Sequence, residues 1–312
     1  NKSKYKDFDN VYYKEYASFK KCSNAGLTYL REKKKYKNCY GYDFKMSYPT
    51  DMAQKKFKFP TKEGKEVYIT NLDKIEFGIY RVKISCDDEN FKMIFVMNKN
   101  NYYTSYSLKF AIELKRKFDI TIDLIIDENP NAYVYDEDDL ICGNEIFGNW
   151  YYRLKDLKQS DPKNSIIKIL ASSGWGHMQK LEIKHVNEKQ LIKLQKDKKS
   201  VSNKYNENTD YIIHDMKGLD NDTWYELIDC NKPVYKLPFR LLSFITSFSR
   251  IKMGKLINKY DCFDDVIRIQ TDSITFKNEF KNNVEGFIYD KKISGDINFK
   301  HVNNYDNYEE FS

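Results

Sequence analysis

Two short stretches far apart in this chain each set an aspartate on a strand-like run. The first is Tyr42-Asp43-Phe44-Lys45-Met46-Ser47-Tyr48-Pro49. The second is Ile269-Gln270-Thr271-Asp272-Ser273-Ile274, preceded by Val266 and Ile267. Between them lies Lys168-Ile169-Leu170-Ala171-Ser172-Ser173-Gly174-Trp175-Gly176. The order is an aspartate strand, a lysine helix and an aspartate hairpin. Each segment alone has a plain structural reading. An aspartate after an apolar run is commonly a turn or cap, and Thr-Asp-Ser has the composition of a turn. Lys168 alone would be a solvated helix lysine, and Gly174-Trp175-Gly176 a loop with a packed aromatic. The signal lies in the three together, in that order and at that spacing.

That order suits nucleotidyl transfer. The reaction activates a 3′-hydroxyl and neutralises a pyrophosphate leaving group, which two divalent ions about 3.5–4 Å apart can do. Mg²⁺ takes hard oxygen ligands and keeps several waters, so few carboxylates suffice. A lysine serves the phosphates as a point charge. Strands are rigid mounts for groups that tolerate little positional error.

The three segments resemble motifs A, B and C of family B DNA polymerases, in the protein-primed branch of phages, adenoviruses and linear plasmids. Motif A, Asp-x-x-Ser-Leu-Tyr-Pro, matches at Asp43, Tyr48 and Pro49. Motif B, Lys-x-x-x-Asn-Ser-x-Tyr-Gly, matches at Lys168, Ser173 and Gly176. Motif C, Asp-Thr-Asp-Ser, matches at Thr271, Asp272 and Ser273. Weaker similarity runs from about residue 25 to about residue 295, most of the chain. The departures are Met46-Ser47 for Ser-Leu, Ser172 for asparagine, Trp175 for tyrosine, and Gln270 for the first aspartate of motif C.

The resemblance implies a DNA-directed DNA polymerase of α+β fold: a palm whose antiparallel sheet carries two aspartates, helical fingers, and insertions. Asp43 and Asp272 would be the catalytic metal ligands, for two Mg²⁺ ions with Mn²⁺ as a substitute. Lys168, with Lys163 and Ser172 on the same helix, would line the triphosphate site, and Thr271 would flank it. Tyr48 would lie under the deoxyribose, and Trp175 beside the nascent base pair or in hydrophobic packing. The implied partners are a DNA primer-template, dNTPs and a terminal protein primer, with no membrane. A viral or plasmid replication protein working in the host cell, not secreted, is expected. The family's exonuclease lies before motif A and its thumb beyond motif C, so the expectation is a palm-and-fingers core lacking both. Gln270 and Ser172 keep a second function open, that of a catalytically weakened or inactive polymerase-like nucleic-acid-binding protein. A reverse transcriptase fits less well, because Thr271-Asp272-Ser273 lacks adjacent paired aspartates.

Composition narrows the alternatives. Hydrophobic residues at 41% and charged residues at 32% are those of a globular chain. No run approaches the roughly 20 apolar residues of a membrane span, and no N-terminal signal pattern is present. The net charge of +7 and the 26 tyrosines suit a polyanion whose bases can stack, as well as plain solubility. The six cysteines form no Cys-x-x-Cys pair and the four histidines are scattered, so zinc-site spacing is absent. Reduced thiols are the default.

Along the chain, residues 1–37 form a polar, basic lead-in. Residues 38–144 are expected as the first palm part with motif A, 145–176 as fingers with motif B, 177–236 as an insertion, and 237–312 as the second palm part with motif C. Alternation predicts strands at 38–44, 77–85, 92–97, 120–126 and about 210–214, with 77–85 and 92–97 as a hairpin. Helical spacing predicts helices at 105–118, 145–157 and 239–259. Asp161 and Pro162 read as the cap and first residue of the helix bearing Lys163 and Lys168. Pro49 disfavours helix at Tyr48. Residues 266–276 read as a hairpin.

Overall fold

A computed structural model of the chain describes residues 8–167, 169–171, 181–203, 209–219, 222–233 and 238–297. The chain divides into two compact units, Asn1–Trp175 with Arg240–Val302, and a smaller one centred on Gly176–Phe239. The architecture is α+β with mainly antiparallel sheets.

The larger unit holds a five-stranded antiparallel sheet, in the order Thr28–Leu30, Val266–Gln270, Ser273–Phe276, Lys35–Phe44 and Phe287–Asp296. The strand bearing Asp43 is therefore flanked by the hairpin bearing Asp272 and by the strand Phe287–Asp296. Alternation sorts the sheet into two faces. Tyr42, Phe44, Ile269, Ile274, Phe276 and Phe287 turn into the main core. There they meet Phe91, Ile94, Leu108 and Phe110, and Met253, Leu256 and Ile257 of the helix Pro238–Lys259. A second five-stranded sheet is built around Phe77–Ser85, which pairs with Tyr102–Thr104, Thr121–Leu124 and Ala132–Tyr135. In the smaller unit, Leu181–Asn187, Asp222–Pro233 and Tyr211–Leu219 form an antiparallel sheet edged by Val201–Ser202, and the helix Glu188–Lys196 follows the first strand. Among the described residues no helix is long and apolar enough to cross a membrane.

Several expected elements are present: the strands near 38–44, 77–85 and 120–126, the helices near 105–118, 145–157 and 239–259, and the 266–276 hairpin. Three local readings are corrected. Residues 92–97 are not a strand, because the Asp88 side chain accepts from the Asn90 and Phe91 N–H groups and caps the helix Glu89–Ile94. The lead-in, for which no element was expected, contains the helix Phe8–Cys22. Tyr48 is helical, within Ser47–Met52, despite the proline after it. Pro49 is the third helical residue, where no intrahelical partner for its missing N–H is needed. Asp161 ends the helix Gly143–Ser160 instead of starting the next one. Asn164 caps the helical residues 165–167 and 169–171, its side-chain oxygen accepting from Ile166 N–H at 2.9 Å, so Lys163 precedes them.

The N-terminal helix is tied in by charge. Glu15 is fully buried. Arg240 Nε donates to its Oε1 at 2.8 Å and Nη2 to its Oε2 at 2.7 Å, while the Tyr135 hydroxyl donates to Oε1 at 2.8 Å. Burial pushes the Glu15 carboxyl above the usual carboxylate range, and the Arg240 fork opposes the shift. Arg240→Met is expected to destabilise the fold by roughly 3–5 kcal/mol, because it strands a buried carboxylate. The double variant Glu15→Leu with Arg240→Met is expected to recover most of that loss. Urea unfolding of the three proteins checks both outcomes.

Candidate active site

Strand register brings the two aspartates together. Asp43 stands opposite Ser273 on one side and Ile288 on the other. One residue on, the Phe44 N–H donates to the Asp272 carbonyl at 3.0 Å. Asp43 and Asp272 thus occupy the same end of neighbouring strands.

The turn carrying Asp272 is short and strained. Gln270 pairs with Ser273, leaving Thr271 and Asp272 as its two central residues. Thr271 has φ 56°, a left-handed conformation that a β-branched residue rarely adopts and that costs on the order of 1–3 kcal/mol. The turn is pinned from both directions. The Asp272 N–H donates to the Gln270 carbonyl at 2.7 Å and the Thr271 N–H to the Leu27 carbonyl at 2.8 Å. The Thr271 side chain lies against Gly26, where a Cβ would sit 2.6 Å from Oγ1 and 2.7 Å from Cγ2. Only glycine leaves room for the threonine there.

The strand of Asp43 continues into a second left-handed residue, Met46 at φ 50°, which opens the helix Ser47–Met52. The Thr50 N–H donates to the Met46 carbonyl at 2.9 Å. Beneath this turn lies a buried clamp. Lys252 Nζ donates to Ser47 Oγ at 2.9 Å and to Asp51 Oδ1 and Oδ2 at 2.9 and 2.8 Å, and it lies over the Phe44 ring, 4.1 Å from the centroid. Asp51 is fully buried and also accepts from the Ser249 hydroxyl. One helix residue before Ile251, Arg250 donates to the Asn24 and Ala25 carbonyls at 2.8 and 2.7 Å. The helix Pro238–Lys259 therefore anchors both the turn at Met46–Ser47 and the segment packed behind Thr271.

The electrostatics follow from this packing. Burial raises the Asp272 carboxyl above its ordinary range; Lys252 lowers it and Asp51 raises it further. Tyr48 is half-buried, its phenol pushed up to about 12 mainly by burial, with Arg250 opposing and Asp272 and Asp51 adding. Tyr48 thus stands within electrostatic reach of Asp272. Among the described residues no cation forms an ion pair with the Asp272 carboxylate, and no cluster of three or more His, Cys, Asp or Glu could hold a metal. A cation here would have the hard oxygens of Asp43 and Asp272 as its protein ligands, with solvent or substrate oxygens completing the shell. That donor set fits Mg²⁺, which keeps several waters.

Of the residues singled out in the sequence, Asp43, Asp272, Thr271 and Tyr48 meet in one place. Lys163 is exposed, in the turn before residues 165–171. Lys168, Ser172 and Trp175 lie outside the described residues. Sequence reasoning missed the clamp of Lys252, Asp51 and Ser47. Its one signal was a run, 241–257 of a core helix, that is apolar or small except for Arg250, Lys252 and Lys255.

No protein-family model matches the chain, and no curated protein matches it in sequence. Among solved structures, the chain is similar to phi29 DNA polymerase complexed with primer-template DNA and incoming nucleotide substrates, with TM-score 0.53 and 14% identity over 86% of this chain. It is similar to the same polymerase in its post-translocation binary complex, with TM-score 0.53 and 15% identity over 87% of this chain, and in its complex with single-stranded DNA, with TM-score 0.51 and 14% identity. The chain spans 44% of the length of that polymerase. At this identity the likeness is one of fold, and the fold is polymerase-like.

Gly26→Ala is expected to displace the Thr271 turn and lower stability by roughly 1–3 kcal/mol, the cost of overpacking. Adding Thr271→Gly removes both the clashing side chain and the left-handed strain. Thermal unfolding is expected to show Tm falling in the single variant and returning toward wild type in the double variant.

Proposed function

We propose that this chain catalyses template-directed DNA polymerisation, joining a dNTP to a primer 3′-hydroxyl. The observation that carries this reading is the register that sets Asp43 and Asp272 side by side at one end of the sheet. The five-stranded sheet then acts as the palm, and the helix Gly143–Ser160 with residues 165–171 as the fingers. Two Mg²⁺ ions, when bound, would activate the attacking hydroxyl and neutralise the leaving pyrophosphate.

The chain's own groups do the rest. Asp43 and Asp272 hold the metals and fix where the 3′-hydroxyl and the α-phosphate meet. Lys168 neutralises the triphosphate as a point charge, with Lys163 and Ser172 nearby in sequence. Tyr48 lies under the sugar, where its ring leaves no room for a 2′-hydroxyl. Thr271 acts through the shape of its turn, which aims Asp272, and Trp175 flanks the nascent pair. The assignment to the protein-primed branch, with a terminal protein as primer, rests on the motif pattern of the sequence. A second reading, a weakened or inactive polymerase fold that binds nucleic acid, is favoured by Gln270. This neutral side chain shares a row with Thr28, Ser273 and Asp43, where the motif has an acid.

Asp43→Asn and Asp272→Asn are each expected to abolish Mg²⁺-dependent primer extension with little change in Tm, since each removes one charge from an electrostatic site. Full extension by either variant would contradict the metal assignment. Absence of extension by the wild-type chain, with DNA binding intact, would favour the second reading.

Tyr48→Val is expected to admit ribonucleotides while sparing deoxynucleotide incorporation. Were Tyr48 only a packing residue, truncation would instead cost roughly 3 kcal/mol of stability and leave sugar discrimination unchanged. The ratio of kcat/KM for ribo- and deoxynucleotides, measured beside Tm, separates the two.

A further inference from the structure

The sheet has a second face, opposite the core. Thr28, Gln270, Ser273 and Asp43 form one row across four strands. Two residues further along each strand lie Leu30, Arg268, Thr275 and Gly41. Side chains two apart on a strand share a face, so Arg268 stands on the face of Asp43, about 7 Å behind its row. The far end of this face is closed by a small cluster of Tyr36, Cys39, Ile267 and Ile297, against which Leu30 and Ile293 pack. Arg268 therefore sits at the border between that cluster and the polar row of Asp43.

Arg268 differs from the other buried and half-buried arginines. Arg31 donates to the Val266 and Phe263 carbonyls, Arg81 to Asp127, Arg240 to Glu15, and Arg250 to the Asn24 and Ala25 carbonyls. Arg268 is half-buried, and among the described residues no carboxylate or carbonyl accepts from its guanidinium. Burial lowers its pKa, with no anion offsetting the cost. A partly desolvated guanidinium with no partner among the described residues calls for an explanation. Its planar fork matches one ligand chemistry above others, a phosphate oxygen pair.

We propose that Arg268 binds an internucleotide phosphate of the primer strand, one or two linkages inward from the 3′ terminus. This rests on Asp43 and Asp272 being the reacting end. The 3′-hydroxyl must then lie at their row, so the strand it ends runs over the adjoining rows of the same face. A strand rising about 3.4 Å per nucleotide reaches Arg268 in about two steps. A triphosphate held by Arg268 is the competing source of the same chemistry.

The test is equilibrium binding, by fluorescence anisotropy, of primer-templates carrying one neutral methylphosphonate at successive primer linkages. It needs no catalysis. Wild type is expected to lose about tenfold in affinity when the first or second linkage is neutralised. Arg268→Gln is expected to bind the unmodified duplex about tenfold more weakly, with a salt slope shallower by about one, and to be indifferent to that methylphosphonate. Its affinity for single-stranded template is expected to be unchanged. Arg268→Lys, which keeps the charge without the fork, guards against a folding defect and is expected to fall between the two. Equal sensitivity of wild type and Arg268→Gln at every linkage overturns the proposal. So does a loss confined to dATP affinity in the complex with a dideoxy-terminated primer. If the wild-type chain extends no primer, the polymerase reading fails while a methylphosphonate result at Arg268 stands. The two failures are thus distinguishable.

Discussion

The pairing of Asp43 with Ser273 is the contact on which the site depends. A strand has a side-chain period of two, so a slip of one residue would turn Asp43 into the core and Tyr42 out of it. Such a slip is opposed by the apolar alternation itself. Tyr42 packs on Phe276, Phe280, Phe287 and Tyr289, and Phe44 packs on Phe287. The aromatic face fixes the register, and the register in turn presents both carboxylates. Packing and chemistry are opposite faces of the same strand.

Buried charge carries much of the remaining positional control. Lys252 joins the end of the Asp43 strand, the Ser47 turn and Asp51 in one network, and Arg240 binds the N-terminal helix through Glu15. Both cations come from the helix Pro238–Lys259. An ion pair of this kind contributes little net stability compared with apolar packing, but losing one partner is costly. We read these pairs as devices of position. Two left-handed residues, Met46 and Thr271, flank the aspartates, and each is held by hydrogen bonds to neighbouring backbone. Strain of this sort persists only where the surroundings over-determine it.

Much of this was legible in the sequence, for a physical reason. Strong alternation in 38–44 and 266–276, and helical spacing in 105–118 and 239–259, reflect burial of one face, and burial leaves a pattern. The local errors arose where a side chain overrode the pattern. Asp88 turned an apolar run into a helix, and Asn164 took the cap expected of Asp161. Proline after Tyr48 was compatible with helix because it fell in the first turn. The clamp at Lys252 was not legible, nor was the place of Arg268, which has no partner among the described residues. Each depends on which residues meet across more than two hundred positions of chain or across a sheet, and a lysine or arginine in a list of 53 carries no mark of that. Asp43, Asp272 and Tyr48 could be singled out because their motifs combine residue type, order and spacing.

The central claim is that Asp43 and Asp272 form one shared metal site. The most direct measurement is electron paramagnetic resonance of Mn²⁺ bound to the chain, with a dideoxy-terminated primer-template and the matching dNTP present. Two spin-coupled ions are expected in the wild type, with the coupled pair lost in Asp43→Asn and equally in Asp272→Asn. A coupled pair that survives either substitution, or a wild-type chain that binds no pair, would contradict the account.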